Sequence, residues 1–215
     1  MTGEAILPPW PAVSRRHLFA AGVLAVGVLL LPAPRRPALG GSSGVAFLQD
    51  LGDRAVAMLS DPALPESSRT ENFRALMSES FNMPAIGRFI LGRYWRQASD
   101  PQKAEFLETF QRVMAARFAP YFAGSSQDSF TIVGPVDGAG DNRQAVRSKI
   151  RLTDGQLAQV DWHLAKHDGG FRIVDVVTEG VSMGITLRSE YGSVLSRNSG
   201  DIEALIQLLQ ERTGA

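Results

Sequence analysis

The apolar residues of this chain change their spacing at Gly124 and again near Gly180. Before Gly124 they recur every three or four positions, as on helix faces. Phe47, Leu48, Leu51, Val56 and Leu59 form one stripe, which Asp61-Pro62 stops. Phe73, Leu76, Met77 and Phe81 form a second, with Ser67 or Ser68 as the predicted cap. Asn82 followed by Pro84 starts a third, running through Ile86, Phe89, Ile90 and Tyr94. Ser99-Asp100-Pro101-Gln102 is a capping box with an early proline. It opens a fourth helix to Phe122 whose wide stripe is Phe106, Leu107, Phe110, Val113, Met114, Phe118 and Tyr121, with Pro120 ending or kinking it.

Between Gly124 and Gly180 the period is two. Phe130 and Ile132 begin a strand. Val146, Ser148, Ile150 and Leu152 alternate with Arg147, Lys149 and Arg151, and Val160, Trp162 and Leu164 alternate with Asp161, His163 and Ala165. Asp154-Gly155 and Asp168-Gly169-Gly170 are hairpin signals, so the strands are antiparallel. Phe171 to Thr178 is apolar on both parities, which predicts a central strand. Helical spacing returns through Leu187, Tyr191, Val194 and Leu195, and again through Ile202, Leu205, Ile206 and Leu209. Helices, an antiparallel meander, then helices define an α+β fold with helices on one sheet face and Arg147, Lys149, Arg151, Asp161 and His163 on the other.

The first forty residues read as an address. Ser14-Arg15-Arg16-His17-Leu18-Phe19 leads into a 14-residue apolar run, Leu18 to Leu31, shorter than the roughly 20 residues a bilayer span needs. Paired arginines before a Gly/Ala-diluted run resemble a twin-arginine export signal; a Sec signal is the alternative. Ala38 and Gly40 allow a cut after Gly40, and an uncleaved anchor stays open. The division is therefore 1–40, export signal, and 41–215, one domain. Setting the signal aside removes four arginines and Glu4 and leaves 18 basic against 21 acidic side chains, about −3 net. That balance excludes a nucleic-acid binder, which needs a basic excess. Absence of cysteine excludes disulfides, thiolate metal sites and lipid anchoring at a cysteine.

Three blocks carry a family resemblance: Leu91-Gly92-Arg93-Tyr94-Trp95-Arg96 with Gln102, Glu105-Phe106 and Phe110; Val160-Asp161-Trp162-His163-Leu164; and Phe171 through Met183, continuing to Arg188-Ser189-Glu190-Tyr191. In that order and spacing the chain resembles the MlaC (toluene-tolerance auxiliary) family over about residues 45–212. The resemblance implies a curved, cystatin- or NTF2-like antiparallel sheet enclosing an apolar cavity for phospholipid acyl chains. It implies no catalysis and no cofactor. It implies shuttling of lipid between an outer-membrane lipoprotein complex and an inner-membrane MCE-type ABC transporter; some branches suggest a hopanoid or other polycyclic lipid as cargo. Candidate lining residues are Tyr94, Trp95, Phe106, Phe110, Val113, Met114 and Phe118 from helices, and Val146, Ile150, Leu152, Val160, Trp162, Leu164 and Ile173 from strands. The same stripes would equally build a packed core, which leaves a filled-core adaptor of the transporter as an alternative.

Other features point to chemistry. Gly180-Val181-Ser182-Met183-Gly184 matches the G-x-S-x-G nucleophile elbow. All three histidines, His17, His163 and His167, precede Ser182, against the hydrolase order, so a tight turn with Ser182 as helix cap is preferred. His163 and His167 lie four apart without a third metal ligand, which favours solvent-facing histidines. Asp175 shares parity with Phe171 and Ile173 and is expected to face inward, paired with Arg172, Arg188 or a backbone amide. A general base in a cavity enzyme is its alternative role. Arg147, Lys149 and Arg151 form a basic stripe, read as a solvated face before a docking surface for an acidic partner.

Overall fold

The computed structural model describes residues 43–137, 142–151 and 155–212. The proposed signal, Leu152 and Asp154 lie outside the described residues. Four helices come first: α1 Gly44–Leu59, α2 Glu66–Ser80, α3 Met83–Leu91 and α4 Asp100–Phe118. Five strands follow: β1 Phe130–Val136, β2 Arg143–Arg151, β3 Leu157–His167, β4 Gly170–Thr178 and β5 Val181–Ser182. Helices α5 Met183–Arg197 and α6 Ile202–Glu211 close the chain.

Local chemistry sets most boundaries. Ser43, Asn82 and Ser182 each accept an amide N–H three residues on, at the starts of α1, α3 and α5. Both halves of the Ser99–Gln102 capping box form. Ser67 and Ser68 do not cap: α2 starts earlier, at Glu66, behind Pro65, whose fixed φ presets the first turn. The third helix stops at Leu91 instead of continuing through Tyr94. Gly92 adopts φ +55°, and Gly92–Arg96 tightens into a 3-10 turn. Pro120 sits in a second 3-10 turn, Ala119–Phe122, that ends α4 as expected. The buried Arg69 donates from Nε to Leu59 O at 3.0 Å and from Nη2 to Asp61 O at 2.7 Å, satisfying carbonyls left open at the end of α1.

The sheet is an antiparallel meander in the order β1-β2-β3-β4-β5. Two-residue turns with both φ positive join β3 to β4 (Asp168-Gly169) and β4 to β5 (Glu179-Gly180), and their twist matches that of the strands. The expectation that Phe171–Thr178 is central is wrong: β3 is central and β4 lies beside the edge. Among the described residues, only β5 and the bridge from Phe81 to Ile173, with Asn82 N–H donating to Ile173 O, cover its outer side. Its double apolar parity has another cause. Leu164 pairs with Ile173 but His163 pairs with Asp175, so β4 carries an extra residue at Val174. The bulge shifts which parity faces inward, and both sets of positions become apolar.

Three apolar clusters result. Leu48 of α1 packs on Val146, Leu164, Phe171 and Ile173 of the sheet. Ala55 and Leu59 of α1 meet Leu76 of α2. The largest joins α3, α4, α5 and α6 around Ile90, Phe106, Phe110, Leu187, Tyr191 and Leu205. No described helix is long and apolar enough to cross a membrane.

Candidate functional site

A cavity of about 480 Å³ lies where these clusters meet. Alpha-helical walls come from Leu48, Leu51, Ala55 and Val56 of α1, Leu76 and Met77 of α2, Ile86 and Ile90 of α3, Phe110, Met114 and Phe118 of α4, and Met183 and Leu187 of α5. Ile150, Val160, Trp162 and Val176 form the sheet floor. Gly52 admits a neighbour no larger residue would: a Cβ there would stand 2.6 Å from the Phe130 ring. Trp162 stays anchored in the floor because its indole N–H donates to the buried Ser148 Oγ at 2.9 Å, with its ring edge-on to Phe130.

Of the residues expected to line a cavity, Phe110, Met114, Phe118, Ile150, Val160 and Trp162 border this one. The others described do not. Phe106 stacks on Phe110 at 5.9 Å and meets Tyr191 edge-on at 6.3 Å, inside the helical cluster with Tyr94 and Val113. Trp95 packs against that cluster. Val146, Leu164 and Ile173 lie beneath α1, whose Leu48 fills the space above them. The walls from α1, α2, α3 and α5 were missed. Their only signal was the apolar stripe on each helix, which does not say what the stripe faces.

Polar groups gather at two places on the wall: Tyr121, Ser125, Ser129, Arg151 and Gln156 in one, and Asp175 in the other. Asp175 borders the cavity beside the start of α5. Its Oδ1 accepts the N–H groups of Val176 and Gly184, each at 2.9 Å, and its Oδ2 accepts from Ser182 Oγ at 2.6 Å. Its partners are therefore amides and a hydroxyl rather than Arg172 or Arg188. Arg172 donates to Phe171 O and Arg188 to Phe89 O. Ser182 also accepts Ile185 N–H, so the G-x-S-x-G segment serves as a turn and cap, its hydroxyl proton directed at a carboxylate and not at an imidazole. His167 Nδ1 lies 3.0 Å from Asp168 Oδ2, and no cluster of three metal-ligating side chains occurs among the described residues. On the sheet's other face Arg147 donates through Nε and Nη2 to both oxygens of Asp161, at 2.6 Å each. That pairing raises the arginine's pKa further, and it leaves Lys149 as the exposed cation of that face, while Arg151, the last residue of β2, is exposed at the sheet's edge and borders the cavity.

An antiparallel sheet covered by helices, with a largely apolar cavity between them, defines an α+β fold with a lipophilic pocket at its centre. The chain belongs to the MlaC family: the family model described as "MlaC protein" matches residues 49–211. It is 23% identical to the toluene tolerance protein ttg2D of Pseudomonas putida over 114 residues, 53% of each chain. It is 23% identical to the intermembrane phospholipid transport system binding protein MlaC of Haemophilus influenzae over 133 residues, 60% of this chain and 61% of that protein. The matches thus span little more than half the length of these relatives. A phospholipid-binding protein from Ralstonia solanacearum, solved in complex with a phospholipid, superposes with a TM-score of 0.69 at 19% identity, over 80% of this chain and 98% of that one, which shows the shared fold.

Proposed function

We propose that residues 41–215 are a periplasmic, non-catalytic carrier that holds a phospholipid by its acyl chains. The carrier is the soluble component of an MCE-type ABC lipid transport system. It exchanges cargo with an inner-membrane transporter and an outer-membrane lipoprotein complex, and residues 1–40 direct its export. The observation that carries this reading is the cavity between sheet and helices. Its volume, about 480 Å³, falls in the range of small-molecule sites. It borders Arg151 at one end and Asp175 at the other. Through the strand register these occupy the rows of Leu157 and His163 on β3. Six residues of strand span about 20 Å at 3.3 Å each. One leaflet of a bilayer's hydrocarbon core is about 15 Å thick, so the cavity has the length of a fatty chain. Each buried CH₂ stabilises the complex by about 0.8 kcal/mol, so enclosure is what a carrier must supply. The names of the family's Haemophilus and Ralstonia relatives, both tied to phospholipid, support the same cargo.

The test is organic extraction of the purified 41–215 chain followed by lipid mass spectrometry. Near-stoichiometric phospholipid is expected. Absence of lipid, with failure to take any up from vesicles, refutes the carrier. A polycyclic lipid in its place would keep the carrier and change the cargo.

A further inference from the structure

The two ends of the cavity differ in charge. Asp175 stands at one end with both oxygens occupied. At the other end the strand register brings three polar residues to the same edge of the sheet. Phe130 pairs with Ile150 and Arg151 with Leu157, so Ser129 and Arg151 come side by side at the ends of β1 and β2, and Gln156 stands one residue before Arg151's partner on β3. All three border the cavity, as do Ser125 and the exposed Tyr121 from the segment between α4 and β1. Arg151 is the only cation among the described residues bordering the cavity. It is exposed and forms no ion pair with any described residue.

We propose that this rim is the headgroup end of the lipid site, and that Arg151 selects lipids carrying an anionic phosphate. This rests on the carrier reading above. The physical basis is the asymmetry of the wall. A phosphate lowered toward Asp175 would meet a carboxylate whose hydrogen-bonding capacity is already used. At the Arg151 rim it meets a guanidinium able to donate two parallel N–H bonds. The acyl chains then run from the rim toward Ile86, Met183 and Leu187. Lys149 lies two residues back on the same strand and does not border the cavity. It is the internal control for general surface charge.

The experiment loads delipidated 41–215 chain from mixed vesicles holding equal amounts of phosphatidylglycerol and diacylglycerol with matched acyl chains. Extracted cargo is read by mass spectrometry. Wild type is expected to take the phosphatidylglycerol at least tenfold over diacylglycerol. R151E is expected to lose about tenfold of that preference while still loading diacylglycerol, and K149E to keep it. R151Q, which removes the charge without reversing it, is expected to fall between. Unchanged preference in R151E overturns the proposal, as does equal loss in K149E, which would make the effect one of overall charge. If inorganic phosphate at the same concentration abolishes the preference without lipid release, the rim is a free-anion site and the headgroup assignment falls. If wild type loads neither lipid, the carrier reading fails first, a result distinct from loss of selectivity alone.

Discussion

Phe106 and Phe110 are chemically identical, one turn apart and stacked on each other, yet only Phe110 borders the cavity. Truncating them separates wall from core. Phe106 is fully buried, with Phe110 on one side and Tyr191 edge-on at another. Phe106→Ala loses the transfer free energy of the ring and opens a new void among packed neighbours. Such changes cost about 3–5 kcal/mol, and here about 4 is expected. Phe110→Ala loses a similar transfer term, but its flank already faces empty space, so little new cavity is made. The cost should approach the burial term alone, about 2–3 kcal/mol. Denaturant titration of the delipidated proteins, followed by circular dichroism, measures both, with equal slopes required for comparison. Phe110→Arg, placing a charge in the same wall, is expected to lose co-purifying lipid. Equal destabilisation by the two alanine substitutions, or a larger cost at Phe110, would refute the assignment of Phe110 to a wall. Undiminished lipid in Phe110→Arg would remove it from the site.

Gly92→Ala forces a left-handed backbone on a residue with a Cβ, placed 3.1 Å from the Arg188 guanidinium. A loss of about 1–2 kcal/mol is expected in the same titration, and none would mean that the 3-10 turn relaxes freely. Asp175→Ala removes the acceptor of three hydrogen bonds at the start of α5 and is expected to cost about 2–3 kcal/mol, read as a lower unfolding midpoint. Burial raises the pKa of Glu190 above 4.5, outweighing the attraction of Arg117 and Arg212. A carboxyl whose folded pKa is raised contributes stability below its unfolded pKa and loses it as pH rises through the folded one. Stability of wild type relative to Glu190→Gln should therefore fall as pH rises above about 4.5, and a flat difference would contradict this.

The parts of the fold governed by neighbours in sequence were legible. Asn82 with Pro84, the Ser99–Gln102 box and the Asp168-Gly169 turn each act within four residues. Where a distant partner decides, the reading failed. Apolar spacing runs unbroken from Ile86 to Tyr94, but the chain turns at Gly92 with φ +55°, and Arg188 of α5 occupies the space where a side chain there would point. The bulge at Val174 leaves no mark except apolar residues on both parities, which also describes a central strand. The same holds for the cavity. Met114 and Val113 are adjacent on one helix and equally apolar, yet only Met114 reaches the void. Leu164 and Trp162 share a strand face, yet Leu164 is fully buried in the cluster beneath α1 while Trp162, at that cluster's margin, borders the void. Periodicity says which face of an element is apolar; the distance to the facing element decides whether that face is filled or hollow.

The central claim is that a fatty chain occupies the space between α4 and the sheet. A phospholipid bearing a photoreactive diazirine near the end of one acyl chain, loaded into the 41–215 chain and irradiated, tests it directly by peptide mass spectrometry. Adducts are expected on Met114, Phe110, Leu187 and Val160, competed away by unlabelled lipid. Adducts confined to exposed apolar residues such as Val133 and Ile185, with none on α4, would contradict the account.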